Sequence, residues 1–212
     1  MLFEVFFCKF YPLILGIMEL DFNLFKIEYN KVIPKKGRVL VAEPFLQDTY
    51  FKRSLVLLTE YSEEGAVGFV LNKPLDVKVN EVMNDLPFTS EHVSIGGPVS
   101  TNTVHYIHTL GDAIPNSVHV IDNIYWGGDF DFIKHMVQTG EIQPGQIRFF
   151  LGYSGWQAGQ LENELEQNSW LITEIGSQSI MSPDTKIWKT TLSQLGDKYK
   201  IWSNFPENPG LN

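Results

Sequence analysis

From Gly37 onward, apolar and polar positions alternate over short stretches, and that period of two predicts a strand-rich chain. "GRVLVAE" is β-branched and ends before Pro44. The apolar runs "FKRSLVLLTEY" and "GAVGFVLNKP" are joined by "SEEG", which predicts a hairpin with Gly65 at a positive φ. Pro74 closes the second run, because proline cannot donate to a ladder. "EHVSIGGPV" is a strand stopping at a double-glycine turn. "TVHYIHTL" and "NSVHVIDNIYWGG" supply two or three more, with a turn at Asp122-Asn123.

Helical periodicity is rarer. "VNEVMNDL" places Val79, Val82, Met83 and Leu86 on one face. Asp129 is the expected N-cap of "FDFIKHMVQT", with Gly140 stopping the helix. "SPDTKIWKTTLSQLG" predicts a helix capped by Ser182, with Pro183 at its first position and Gly196 past its end. "FFLGYSGWQAGQLENEL" reads as a strand, a glycine-flanked turn at Ser154 and a helix. Leu161 and Leu165 form that helix's apolar side, with Glu162, Glu164 and Glu166 as its wet face. Strands cluster early, hairpins join several of them, and helices fall late. That order predicts an α+β fold on a mixed, mostly antiparallel sheet. Residues 37–205 are expected to form a single domain, with 1–36 an N-terminal extension and 206–212 a tail.

Composition narrows the function. Of 212 residues, 43% are hydrophobic and 19% charged, as in a soluble globular protein. The net charge of −9 disfavours direct nucleic-acid binding, which draws its affinity from cationic neutralisation of phosphates. The densest local basic run, "KVIPKKGR", reads as a solvated lead-in to the first strand. A single cysteine, Cys8, makes no intrachain disulfide and no cysteine-based metal site, which fits a reducing cytoplasm. "MLFEVFFCKFYPLILGIM" lacks the basic region and cleavage site of a signal peptide, and Glu4 and Lys9 break it as a membrane span. Translation is expected to start at Met18, leaving residues 1–17 as a non-native extension.

The strand–turn–helix around Ser154 raises the question of a nucleophile elbow. A nucleophilic serine needs a histidine base oriented by a carboxylate. All five histidines precede Ser154, whereas the fold that uses the elbow orders them serine, acid, histidine. Trp156 also stands where the elbow requires a small residue. Ser154 is therefore expected to be a turn residue whose hydroxyl caps the following helix. His105 and His108 would share a helix face, but on a strand their spacing sends them to opposite faces, so no metal site is expected. "WGGDF" leads into a helix N-terminus but lacks a phosphate-loop pattern, and Asp129 puts a negative charge there. No cofactor and no catalytic set follows from these residues.

Three ordered motifs resemble the YqgE/AlgH family of bacterial proteins: "GRVLVAEPFLQDTYFKRSLVLLTEYSEEGAVGFVLNKPL", "IGGPV" and "LGYSGWQAGQLENELEQNSWL". The resemblance runs from Gly37 to Trp202. It implies a curled, barrel-like mixed sheet with helices packed outside, and a cytoplasmic location. Alanine is common in the family where Ser154 stands here, which weakens the nucleophile further. The long apolar start departs from the pattern. Some members are named as transcriptional regulators of polysaccharide production, although this chain has no basic recognition helix to match. Motif residues such as Asp48 with Arg53 are expected to pair across a loop. The candidate recognition surface is a turn cluster of Asn72, Gly97, Tyr153, Trp156 and Gln160, with Tyr153 and Trp156 as an exposed aromatic pair. Two readings follow. One is a non-catalytic binding or regulatory module for a protein or small-molecule partner. The alternative is an enzyme, a hydrolase using Asp48, Glu43 or a histidine.

Overall fold

The computed structural model describes residues 28–86 and 91–205. The expectation for residues 1–17 and the tail at 206–212 therefore lie outside the described residues. Among the described residues, ten strands form one curled sheet. They are β1 (Val39–Ala42), β2 (Leu55–Ser62), β3 (Gly65–Val70), β4 (Pro74–Lys78), β5 (His92–Ile95), β6 (Val99–His108), β7 (Val118–Ile121), β8 (Ile124–Trp126), β9 (Ile147–Gln157) and β10 (Trp170–Thr173). Its main path is β10-β1-β2-β3-β9-β6-β8-β7, with β5 also on β9 and β4 on β5. All pairs are antiparallel except β5 with β9. The sheet is curled but not closed into a barrel, because β10 and β7 end the path.

Alternation sorts the strands' side chains into two layers. Val39 and Val41 join Leu55, Leu57, Phe69 and Phe150 on one face, under the C-terminal helices α4 (Ser177–Met181), α5 (Ile187–Gln194) and α6 (Asp197–Trp202). Leu40 and Ala42 join Val56, Val70 and Trp156 on the other, under Leu161 and Leu165 of α3 (Gln160–Glu166). A third cluster, around Val93, Tyr106 and Phe149, packs Ile133 and Met136 of α2 (Phe130–Thr139). Burying both faces of β1 explains why all four of its residues are buried and why it reads as an unbroken apolar run.

Strand β9 holds the sheet together. Phe149–Leu151 run parallel to β5, while Ser154–Gln157 pair antiparallel with β3, and β6 lies along the other edge. Between the two halves Gly152 takes φ 64°, where an added Cβ would meet the Val99 carbonyl oxygen at 2.6 Å. Opposite it, β6 slips register between Val99 and Val104. The strand thus continues through Ser154, and the predicted turn there is not present. The chain turns only after Gln157, whose N–H donates to Gln160 Oε1 at 3.1 Å.

Several expected elements form as read. Asp129 caps α2 through Phe132 N–H at 3.1 Å, Gly140 is left-handed at its end, and the β7–β8 hairpin turns with Asp122 at φ 48°. Helix α1 (Val79–Val82) is a single turn, and Val82 is 40% exposed instead of joining Val79 and Leu86 inside. The helix expected from Ser182 starts only at Ile187. The cause lies at long range: the buried Arg148 guanidinium takes the carbonyls of Ile180 and Ser182, the latter at 3.1 Å. Asp184 then shapes the turn leading into α5, its carboxylate accepting Lys186 N–H at 2.8 Å. Strands β4 and β10 and helices α4 and α6 are too short to show a clear periodicity and are not among the elements expected from the sequence.

Candidate functional site

The five sequence candidates do not form one surface. Gln160 sits at the β3 end marked by Gly65, which pairs with Gln157, whereas Asn72 lies beyond the other end. Seven residues of extended chain at about 3.3 Å each separate those ends by about 23 Å. Gly97 and Tyr153 touch in mid-sheet, where a Cβ on Gly97 would lie 2.3 Å from the Tyr153 carbonyl carbon. Tyr153 packs its ring against His105 at 5.5 Å, on the face opposite Trp156. Trp156 is only 5% exposed, so the exposed aromatic pair is not what forms.

Trp156 and Gln160 instead meet on Glu164. One carboxylate oxygen accepts the indole N–H groups of Trp156 at 3.0 Å and Trp170 at 2.8 Å, and the other accepts Gln160 Nε2 at 2.9 Å. Phe51 lies over both indoles, stacked on Trp156 and edge-on to Trp170. Glu164 is therefore an internal anchor of α3, not part of a wet face. Its neighbour Glu162 accepts Tyr61 Oη at 2.6 Å, and that bond is the main reason the phenol is pushed up to about 12.

The hydroxyls and imidazoles are engaged structurally. Ser154 is fully buried and its Oγ donates to the Gly96 carbonyl at 3.0 Å, so it caps no helix. His119 Nε2 faces the Asp122 carbonyl at 2.8 Å. His108, also fully buried, lies 3.0 Å from Ser117 Oγ, a serine–histidine contact that invites a catalytic reading. Its Nδ1 accepts Leu110 N–H, and its Nε2 faces both Ser117 Oγ and the Gly127 carbonyl. An imidazole that accepts at Nδ1 and faces a carbonyl at Nε2 carries its proton on Nε2. Ser117 Oγ in turn gives its own proton to the Ile114 carbonyl at 2.8 Å. In this arrangement the imidazole cannot accept the Ser117 proton. Burial lowers the His108 and His105 pKa values, keeping both rings neutral.

The carboxylates proposed for hydrolysis act as loop caps. Glu43 accepts Phe45 N–H at 3.0 Å, and burial raises its pKa. Asp48 accepts the N–H groups of Tyr50 and Phe51, both at 2.8 Å. Among the described residues no group of three His, Cys, Asp or Glu is placed to hold a metal ion, and no helix is long and apolar enough to cross a membrane.

A different site does form where two motif loops meet α5. It is a cleft of about 340 Å³. The loop before β2 contributes Lys52 and Arg53, the loop after β3 contributes Asn72 and Lys73, and α5 with its lead-in contributes Thr185, Lys186, Trp188 and Lys189. Asn72 fixes the two loops to each other, accepting Leu55 N–H at 2.9 Å and donating to the Arg53 carbonyl at 2.8 Å. Lys73 Nζ donates to the carbonyls of Thr49 at 3.0 Å and Tyr50 at 2.6 Å. Arg53 lies over the Trp188 ring at 5.2 Å and donates to the Phe205 carbonyl. Trp188 is itself pinned by its N–H to the Ala42 carbonyl at 2.9 Å.

The AlgH-like family model matches residues 39–200, three-quarters of the sequence. The chain belongs to the AlgH-like family. A Parabacteroides distasonis relative, named only as a UPF0301 protein, is 45% identical over 193 residues, covering 90% of this chain and 98% of its own. A Bacteroides thetaiotaomicron relative of the same name is 43% identical, covering 92% of this chain and all of its own. Among AlgH-like structures, the solution structure of AlgH from Pseudomonas aeruginosa is similar, with a TM-score of 0.65 and 25% identity over 84% of this chain and 98% of that one. A Corynebacterium diphtheriae protein gives a TM-score of 0.68 at 25% identity, covering 84% and 95% of the two chains. In this AlgH-like chain, Arg53, Asn72 and Lys73 of the cleft come from motifs visible in the sequence. Lys186 and Lys189, one helical turn apart in "KIWK", were missed; their spacing signals one helix face, but not what that face opposes.

Proposed function

We propose that this AlgH-like protein is a non-catalytic binding or regulatory module of the bacterial cytoplasm, and that it recognises its partner at the cleft between its motif loops and α5. One observation carries the reading: among the described residues, five of the eight that line the cleft are cationic, in a chain whose 25 acidic residues outnumber its 16 basic ones. The remaining three are Asn72, Thr185 and Trp188. Of the five sequence candidates, Asn72 serves recognition directly as the rigid wall of this cleft. Gly97, Tyr153, Trp156 and Gln160 serve it by holding β9 and α3 in place. A role in transcription, for which some family members are named, would act through a partner, since the overall charge opposes extended contact with DNA.

The test pairs turnover with binding. The purified chain is screened for ester, phosphate and glycosidic hydrolysis, and its thermal unfolding is followed against a panel of cytoplasmic metabolites. The proposal expects silence in every hydrolysis assay and stabilisation by at least one panel member, lost in Lys189→Glu. Turnover abolished by Glu43→Gln, Asp48→Asn or His108→Asn would overturn it in favour of a hydrolase.

A further inference from the structure

We propose that a groove between the edges of β2 and β7 is a docking site for an extended, lysine- or arginine-bearing segment of a partner protein. The groove shares no lining residue with the α5 cleft, so the inference goes beyond the function proposed above. Its volume is about 600 Å³, and its walls include Glu60, Tyr61 and Ser62 of β2 and Val118 of β7. Strand pairing leaves both of those edges open. Strand β2 meets the chain ahead of β1 as far as Leu58, whose carbonyl accepts Gly37 N–H at 2.8 Å. Beyond it, residues 60–62 pair with β3 alone among the described residues, and β7 pairs with β8 alone.

Gly37 sets the gap between the two edges at one strand's width. Its N–H is bonded to β2, while a Cβ on it would lie 2.7 Å from Ile121 Cβ and 3.2 Å from the Val120 carbonyl oxygen of β7. The backbone at Gly37 thus stands where a strand between β2 and β7 would run. The chain leaves that place at once, through a turn in which Arg38 N–H donates to the Lys35 carbonyl at 3.1 Å. Residues 60–62 continue past the turn for about 10 Å, at about 3.3 Å per residue, with Val118 across the groove from them. The opposite end of the sheet is closed: Asn30 donates to the Ile172 carbonyl of β10 at 2.6 Å and accepts Ile172 N–H at 3.2 Å. A side chain that takes both backbone groups of an edge residue blocks strand addition there. Strand β7 instead presents Val118, 41% exposed and of a type that favours pairing.

Charge selects the occupant. Glu60, Glu63 and Glu64 are all exposed on the β2–β3 hairpin, and Lys36 is the only cation among the residues lining the groove. A rim of that sign favours a basic segment and repels an acidic one. An extended segment offers main-chain groups to both edges, which supplies affinity, and its alternating side chains supply specificity. Apolar ones can pack on Val67 and Val118 while basic ones reach the glutamates of the hairpin.

The experiment titrates the full chain with three acetylated octapeptides, alternating lysine–valine, lysine–proline and glutamate–valine, and follows its amide chemical shifts. The lysine–valine peptide should bind saturably, moving the amides of Glu60, Tyr61, Ser62, Val118 and His119 along one curve. Lysine–proline keeps the charge but loses half of its N–H donors, and should bind on the order of tenfold more weakly. Glutamate–valine should not bind. Val118→Lys places a charge on the β7 edge, and Glu64→Lys reverses one on the rim. Each should weaken lysine–valine binding by on the order of fivefold or more, against less than about twofold for Glu141→Lys, an exposed site ahead of the other end of β9. Glu64 is exposed beside a hairpin turn, so its variant keeps the fold and decides the case should Val118→Lys not fold. Equal affinity for the two lysine peptides, equal losses at Glu64 and Glu141, or no saturable binding would each overturn the inference. So would a concentration-dependent dimer broken by Val118→Lys, or cross-relaxation between residues 1–27 and β7, which would give the groove to a second copy or to this chain's own N-terminal segment.

Discussion

Removing the Glu164 carboxylate tests how the β9–α3 corner is held. Glu164→Ala leaves the indole N–H groups of Trp156, 5% exposed, and Trp170, 1% exposed, without the acceptor they share. Each orphaned buried donor costs about 1–3 kcal/mol, so the pair amounts to about 4 kcal/mol. The Gln160 bond adds little because that side chain is exposed. At about 2–4 °C per kcal/mol for a domain of this size, Tm should fall by roughly 8–16 °C. Glu164→Gln is the control: its amide oxygen can still accept both indoles, so only the charge assistance and the Gln160 bond are lost, about 1–2 kcal/mol. Urea unfolding followed by tryptophan fluorescence reads both variants. If alanine and glutamine destabilise equally, or alanine costs less than about 1 kcal/mol, the carboxylate is not the anchor described here.

Other outcomes follow from the same contacts. Ser154→Ala removes one neutral hydrogen bond to Gly96 and should cost only about 1 kcal/mol by chemical denaturation, with ligand binding unchanged; a loss above about 3 kcal/mol would point to an unrecognised role. Gly97→Ala drives a methyl into the Tyr153–Ser154 backbone at 2.3–2.4 Å, so the variant should lose at least about 3 kcal/mol or fail to accumulate as soluble protein; near-wild-type unfolding would contradict the close packing. His108 and His105 have folded pKa values below the ordinary 6.5, so the unfolded chain binds more protons as pH falls below that value. Their stabilising contribution is complete above about pH 6.5 and is lost as pH drops through the folded values. Replacing both by Gln should flatten the stability profile below about pH 6.5, and an unchanged slope would assign it to other groups.

Much of the fold is legible from alternation, because a half-buried strand must repeat every two residues. The β2–β3 and β7–β8 hairpins and the cap of α2 are local features, fixed by residues within a few positions of one another. The glycine-rich "GYSGW" was read as a turn, yet it is strand. Its small residues let β9 lie against the Gly96–Gly97 backbone, and proximity to a second segment leaves no local signature. The delayed start of α5 depends on Arg148, far away in sequence, claiming the Ser182 carbonyl. Trp156 reads as a surface aromatic only while Glu164 and Trp170 are unplaced. The cleft is half legible: Arg53, Asn72 and Lys73 stand in the motifs, but only the fold of the C-terminal helices brings Lys186 and Lys189 opposite them.

The central claim is that a partner is recognised between the motif loops and α5, and amide chemical-shift mapping during titration with a metabolite that stabilises the chain tests it most directly. Resonances of Arg53, Asn72, Lys73, Lys186 and Lys189, with the Trp188 indole N–H, should move together along one saturable curve while the Glu164 corner stays still. Perturbations scattered over every exposed lysine, or gathered around the Glu164 corner instead, would contradict the account.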